Sequence, residues 1–209
     1  MSKKIKNKFA KVFLVRHGNV ENPKHIIYGY LPLPLSAKGR MEIKRVGALL
    51  KKQNIAIIFS SPQKRAQESA KIISQVISKG KLKIKTEIGL RESAFGRYTQ
   101  GATPEMVKKK YAKIMRLYYR QPARLKAGGE NLAQMAKRFL VVIKKGIKKN
   151  PRKNLVFVSH RDPILAALLK LAGRDLNDLH KVKAICETGE VCEIWSVGKK
   201  LINKTYLAS

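Results

Sequence analysis

The stretch Val12-Phe13-Leu14-Val15-Arg16-His17-Gly18 sets an unbroken apolar run directly against a cation, an imidazole and a glycine. Four apolar residues without polar alternation read as a strand buried on both faces, the pattern of a parallel sheet covered by helices. Residues just past the carboxyl end of such a strand sit where open α/β sheets place ligands. The same succession recurs twice. Ile55 to Phe59 runs into Ser60-Ser61-Pro62-Gln63-Lys64-Arg65-Ala66, and Asn154 to Val158 runs into Ser159-His160-Arg161-Asp162-Pro163.

Helical signals fill the intervals. Residues Asn19 to Leu35 read as a loop punctuated by Pro23, Gly29, Pro32 and Pro34. Ser36 can cap a helix running to about Lys52, and Ser61-Pro62 supplies a second N-cap with proline at the first helical position. Leu132, Met135, Ala136, Phe139, Leu140, Ile143 and Ile147 lay an apolar stripe along another helix, and the one opening at Asp162-Pro163 is apolar all round. Leu82 to Thr86 reads as a third strand. Ala184 to Glu187, Val191 to Val197 and Leu201 to Tyr206 read as strands joined by turns at Gly189 and Gly198. The expected fold is α/β, a three-layer sandwich with a mainly parallel central sheet and helices on both faces. Residues 1–209 are expected to form one domain, with residues 1–11 a basic arm. Residues from about 97 to 127, helical over Pro104 to Leu117, form a small basic lid insertion.

Composition narrows the class. At 44% hydrophobic and 28% charged, the 209-residue chain has the makings of a packed core rather than a disordered segment. The longest apolar stretch, Ile164 to Leu169, is far short of a membrane span, and the basic start leads only to four apolar residues before Arg16. No membrane partner is expected. Two cysteines, Cys186 and Cys192, make no disulfide framework, which points to the cytoplasm. They read as small core or surface residues. The formal net charge is +33, from 46 basic and 13 acidic residues. Such a charge favours non-specific polyanion binding. Its 33 lysines and 13 arginines are scattered along the chain, however, where a nucleic-acid reader concentrates them and interleaves aromatics. A basic nucleic-acid-binding protein therefore stands as the reading from another class, and a homodimer as a possible assembly.

At the three strand ends, Arg16, His17, Arg65 and His160 would converge beside helix N-termini, whose free N–H groups favour an anion. Arginine forks match phosphate oxygens with paired hydrogen bonds. His17, His160 and Glu92 could instead hold a metal, but Arg16 and Arg65 in the same pocket would repel a cation. No cofactor is implied: the chain carries no nucleotide-binding glycine loop and no zinc spacing. His25 and His180 read as surface residues. Tyr28 and Tyr30 are placed to line the pocket mouth or to pack facing solvent. In the lid, Lys108, Lys109, Lys110, Lys113, Arg116, Arg120, Arg124 and Lys126 read mainly as a solvated face. One or two of them could greet a second acidic group on the substrate.

Taken in order, Leu14-Val15-Arg16-His17-Gly18, Pro34-Leu35-Ser36-Ala37-Lys38-Gly39, Ser60-Ser61-Pro62 through Arg65-Ala66, Leu90-Arg91-Glu92 with Phe95-Gly96, Gly128-Gly129-Glu130-Asn131 and Val158-Ser159-His160 resemble the histidine phosphatase superfamily, which includes phosphoglycerate mutases. The likeness runs from Val12 to about Val197. It implies a phosphohistidine mechanism on a small phosphorylated substrate, with His17 as nucleophile. Arg16, Arg65 and His160 would neutralise the phosphoryl oxygens, and Glu92 would donate a proton to the leaving alcohol. Asn22 stands near a phosphate-contacting Asn of the family. Tyr28 and Arg161 are candidates at the substrate lid; Arg161 replaces a common glycine and either contacts the anion or pairs with Asp162. Asn19 stands where the family commonly has an acid, and Arg97-Tyr98-Thr99-Gln100-Gly101 departs from its Trp-Glu-Gly. The implied activity is phosphomonoester hydrolysis, with cofactor-dependent phosphoglycerate mutase as the alternative.

Overall fold

The apolar run quoted first forms β1 (Ala10–Arg16) in the computed structural model, which describes residues 10–93, 99–126, 130–182, 186–197 and 200–203. Its side chains divide with the strand period of two: Val12 and Leu14 enter one core, Phe13 and Val15 the other. A strand that feeds two cores has to lie inside a sheet covered on both faces. β2 (Ile55–Ser60), β3 (Ile84–Thr86) and β4 (Asn154–Ser159) join it in parallel, in the spatial order β3-β2-β4-β1. β5 (Val191–Val197) and β6 (Lys200–Asn203) extend the sheet antiparallel on the far side of β1. In β2, Ile55 and Ile57 enter opposite cores although they stand two apart. The pairing with β4 slips between them, and that irregularity re-aims the strand.

One face is covered by α1 (Ala37–Leu50) and α2 (Lys64–Ser78), through Ile43, Val46, Leu50, Ala66, Ala70 and Ile73. Two further helices, α3 (Pro104–Lys110) and α4 (Ala112–Arg120), follow β3 at a distance. The other face is covered by α5 (Leu132–Lys149) and α6 (Arg161–Leu171). Residues 162–169 of α6 are buried on every side, as an all-apolar helix must be. Burial of each such Leu, Ile or Phe contributes roughly 1.5–3 kcal/mol, so the strand ends project from a stiff platform. Among the described residues no helix is long and apolar enough to cross a membrane.

Local chemistry decides where elements start. The Ser36 hydroxyl accepts from the Gly39 N–H at 3.0 Å and opens α1; Asn131 and Gln134 cap α5 reciprocally. Gly18 and Gly39 cross so closely that a Cβ on either would strike the other segment's backbone, on Gly39 and Asn19 respectively. Those two glycines therefore clamp the loop after β1 onto the start of α1.

Three elements differ from their sequence reading. The helix after β2 starts at Lys64, not Pro62: the Ser61 hydroxyl is engaged by His160 and by the Gln63 side chain and accepts from the Gln63 N–H only at 3.4 Å. The Pro104–Leu117 helix is two helices that break at Tyr111 and continue to Arg120. Cys186 and Glu187 lie in a turn with Cys186 at φ 65° rather than in a strand. The rest of that expected strand, the arm up to residue 9, the Phe95-Gly96 and Gly128-Gly129 pairs and the chain beyond Asn203 lie outside the described residues.

Candidate active site

Parallel pairing of β1, β2 and β4 brings three strand ends side by side, and the residues just past them share one edge. His17 continues the ladder by one step, donating its backbone N–H to the Ser159 carbonyl at 3.0 Å. Its ring is buried, with Nδ1 2.8 Å from its neighbour Gly18's carbonyl oxygen. A carbonyl can only accept, so Nδ1 carries the hydrogen and Nε2 is left with its lone pair. That lone pair accepts from Nε of Arg65 at 3.1 Å.

Arg65 reaches this point from the first turn of α2 and is fully buried. Its guanidinium is held by the Gly29 carbonyl at 2.8 Å and the Leu31 carbonyl at 3.4 Å, and donates to His160 Nδ1 at 3.2 Å. The Tyr28 ring lies over it, 4.8 Å from ring centre to guanidinium carbon, and stands edge-on to His17 at 6.4 Å. Accepting at Nδ1 puts the His160 hydrogen on Nε2, where Ser61 Oγ (2.8 Å) and Gln63 Oε1 (3.0 Å) receive it. The two imidazoles stand 5.1 Å apart. Burial first, and the Arg65 charge next, hold both well below the usual histidine range, so both stay neutral. The pocket-facing nitrogens, Nε2 of His17 and Nδ1 of His160, both meet a guanidinium, a donor set that a metal ion would find already blocked by positive charge.

Glu92 closes the other side. One oxygen accepts from the Ser93 N–H at 2.8 Å and the other lies 3.7 Å from His160 Nδ1. Burial, with a second push from Asp162, raises its carboxyl to about 7 against the pull of Arg65. A salt bridge to Arg91 is not what holds it: Arg91 reaches Tyr30 Oη at 3.2 Å and Glu130 at 3.8 Å. Arg16 donates from Nη1 to the Cys186 carbonyl at 2.8 Å and lies 3.7 Å from Glu187; its buried Nε has no partner among the described residues. Such an unmet donor is suited to an incoming anion. The Cys186 and Cys192 thiols are buried, 3.2 Å apart.

The rim is less uniform. Asn22 binds the Ile26 backbone with both ends of its amide, at 2.8 and 3.1 Å, and so ties off the loop that carries Tyr28. Arg161 pairs with Asp162 at 3.4 Å, the second of its two sequence readings. The other Asp162 oxygen accepts from Tyr118 of α4 at 2.5 Å. His25 is exposed as expected, but His180 packs edge-on against Tyr118 at 4.4 Å and is not a free surface residue. Sequence reading missed Tyr118 and also Arg138 of α5. Nothing near Tyr118 marked it beyond its place in an aromatic pair, and Arg138 stood on the edge of an apolar stripe.

With this geometry in hand, comparison with known proteins is specific. The profile of the histidine phosphatase superfamily (branch 1) matches residues 12–201. Phosphoserine phosphatase 1 of Hydrogenobacter thermophilus is 30% identical over 170 residues, which cover 80% of this chain and 79% of that one. A 2,3-bisphosphoglycerate-dependent phosphoglycerate mutase of Gloeobacter violaceus is 27% identical over 178 residues, 83% of this chain and 81% of the mutase. Among solved structures, Bacillus stearothermophilus YhfR superposes with a TM-score of 0.85 at 21% identity, covering 96% of this chain and 98% of its own, a likeness of fold. The matched span holds every residue of the buried pocket, and the chain belongs to the histidine phosphatase superfamily.

Proposed function

We propose that this chain hydrolyses small phosphomonoesters through a phosphohistidine on His17. The observation that carries the reading is the buried, neutral His17 whose Nε2 lone pair faces the Arg65 guanidinium at 3.1 Å. When phosphoryl oxygens take over the Arg65 donors, that lone pair is released toward phosphorus. In the first step Nε2 attacks in line, the P–O bond to the alcohol breaks, and Glu92 gives its proton to the leaving oxygen. In the second, water attacks phosphorus, the P–N bond breaks, and the Glu92 carboxylate takes the water proton. Arg16, Arg65 and the His160 side of the pocket offset the charge on the equatorial oxygens, the principal requirement of phosphoryl transfer. A carboxyl near 7 is suited to both halves of this cycle. Asn22 serves by shaping the loop that carries Tyr28.

The substrate class is a small phosphorylated metabolite, for which phosphoserine and 3-phosphoglycerate are the first compounds to try, given the names of the relatives and of a solved complex. Tyr28, Arg161 and the basic residues of α3 and α4 form the lid side in this reading. The net charge of +33 adds non-specific polyanion binding that salt removes.

The test is rapid quenching with a labelled aryl phosphate, followed by separation of protein from phosphate. The expected result is an acid-labile, base-stable label on His17, absent from a folded His17→Ala variant. Phosphate release that survives in that variant overturns the proposal. With 3-phosphoglycerate, isomer exchange without phosphate release would assign the chain to the mutase alternative.

A further inference from the structure

The segment that carries Glu92 leaves the short 3-10 turn Ile88–Leu90 in extended form and pairs with no strand among the described residues, so its carbonyls need partners from elsewhere. Four consecutive carbonyls find them in side chains. Arg138 Nη1 donates to Gly89 at 2.7 Å and to Arg91 at 2.8 Å, Ser159 Oγ donates to Leu90 at 2.7 Å, and Arg138 Nη2 donates to Glu92 itself at 3.2 Å. Tyr30 Oη adds a second bond to the Glu92 carbonyl at 3.0 Å. The two donors of Arg138 left over grip Glu130 as a fork, Nε to Oε1 at 2.5 Å and Nη2 to Oε2 at 2.9 Å. All five N–H groups of the guanidinium are thereby used. Three of them read the backbone on either side of one carboxylate.

We propose that Arg138, steered by Glu130, is a positioning residue that sets the register of the Glu92 carboxyl against the leaving group. Neither side chain hydrogen-bonds His17, Arg65 or His160 among the described residues. The inference rests on the reading of Glu92 as proton donor. A guanidinium has the planar fork for this task; a lysine ammonium can satisfy one or two of the carbonyls but cannot also hold Glu130 in a plane. A displacement of about 1 Å at a proton donor costs on the order of 10²-fold.

The experiment compares Glu92→Gln, Arg138→Lys and Glu130→Gln on two esters, an aryl phosphate with a good leaving group and an alkyl phosphate with a poor one. An alkoxide needs its proton far more than a nitrophenoxide does, so loss of the acid shows mainly on the alkyl ester, and it is read in kcat/KM, which reports phosphorylation of His17, because the base step that follows is common to both esters. Arg138→Lys is expected to lower kcat/KM about tenfold on the alkyl ester and less than threefold on the aryl ester. Glu92→Gln is expected to show the same pattern, larger. Equal losses on both esters from Arg138→Lys, while Glu92→Gln discriminates, would overturn the positioning role and leave the acid in place. Equal losses from Glu92→Gln would remove the acid reading, and the inference with it. Should Arg138→Lys lack a cooperative melt, Glu130→Gln decides alone: the discriminating pattern upholds the proposal, and an even loss or no loss overturns it.

Discussion

The two ends of this site are built differently. At the phosphate end, His17, Arg65 and His160 are buried at strand ends and a helix start, and each hydrogen-bonds at least two neighbours. At the end proposed for the leaving group, Tyr28, Arg161 and Tyr118 are half-buried and come from a loop, a helix mouth and the α3–α4 segment. A phosphoryl group is the same in every ester, so its receptor gains from being fixed before the substrate arrives. The alcohol differs from ester to ester, and in the proposed reading it is met mainly from the loop after β1 and from α3 and α4, which lie outside the sheet. In the proposed reading the fully buried end serves every ester, and the half-buried end chooses among them.

That contrast predicts a gradient of effects. The largest belongs to His17→Ala, which should lose about 10⁴-fold or more in kcat whatever the ester, measured as initial phosphate release. Next is Arg65→Lys, expected to lose about 10²–10³-fold, again without regard to the alcohol, because a point charge cannot bond His17, His160 and two carbonyls together. A loss from Arg65→Lys that depended strongly on the alcohol would erase the division between the two ends.

Glu92 stands at the boundary. Protonated, it can donate, so kcat for an alkyl ester should fall as pH rises through about 7. On the acid side, rate should hold down into a range where an ordinary histidine would already be charged, since both imidazoles titrate low. Glu92→Gln should lose about 10²-fold on that ester and flatten the falling limb. Stability gives an independent reading. A carboxyl raised on folding binds a proton the unfolded chain has released, so its contribution is present below the unfolded value and fades as pH climbs toward 7. The wild-type melting temperature should therefore drop between pH 5 and 8 by more than that of Glu92→Gln. Parallel melting curves across that range would contradict the raised carboxyl.

The same division governs how much of the site is legible in the sequence. β1, β2 and β4 announce themselves as apolar runs because both their faces are buried, and Arg16-His17, Arg65 and His160 are found simply by reading past each run. The Ser61-Pro62 helix start differs for a reason that lies far along the chain: Ser61 turns to His160, 99 residues away, at 2.8 Å and keeps only a 3.4 Å bond to the Gln63 N–H. Arg138 was invisible for a related reason. Three of its five donors go to backbone carbonyls, which carry no residue type for a sequence to display, and the segment that presents them has no periodicity; only the fork to Glu130 joins two side chains. Tyr118 is the third case, an aromatic in a basic, half-helical stretch whose bond to Asp162 exists only once α4 folds back toward α6.

Tyr118 also supplies the smallest and most discriminating test of the contrast. Its hydroxyl donates to Asp162, and Asp162 is the second cause, after burial, of the raised Glu92 carboxyl. Removing the hydroxyl in Tyr118→Phe leaves the Asp162 charge to be balanced by Arg161, at 3.4 Å. More of that negative charge then reaches Glu92, which holds its proton more tightly. The falling limb of the alkyl-ester profile should move to higher pH by a few tenths of a unit, about 0.5 kcal/mol, with kcat at pH 6 changed less than about threefold. The aryl-ester kcat/KM profile should not move, since phosphorylation of His17 by an ester with a good leaving group needs little help from the acid. A limb that stays in place for both esters would mean that α4 covers the rim without acting on the acid, and the looser end of the site would then begin beyond Asp162 rather than at it.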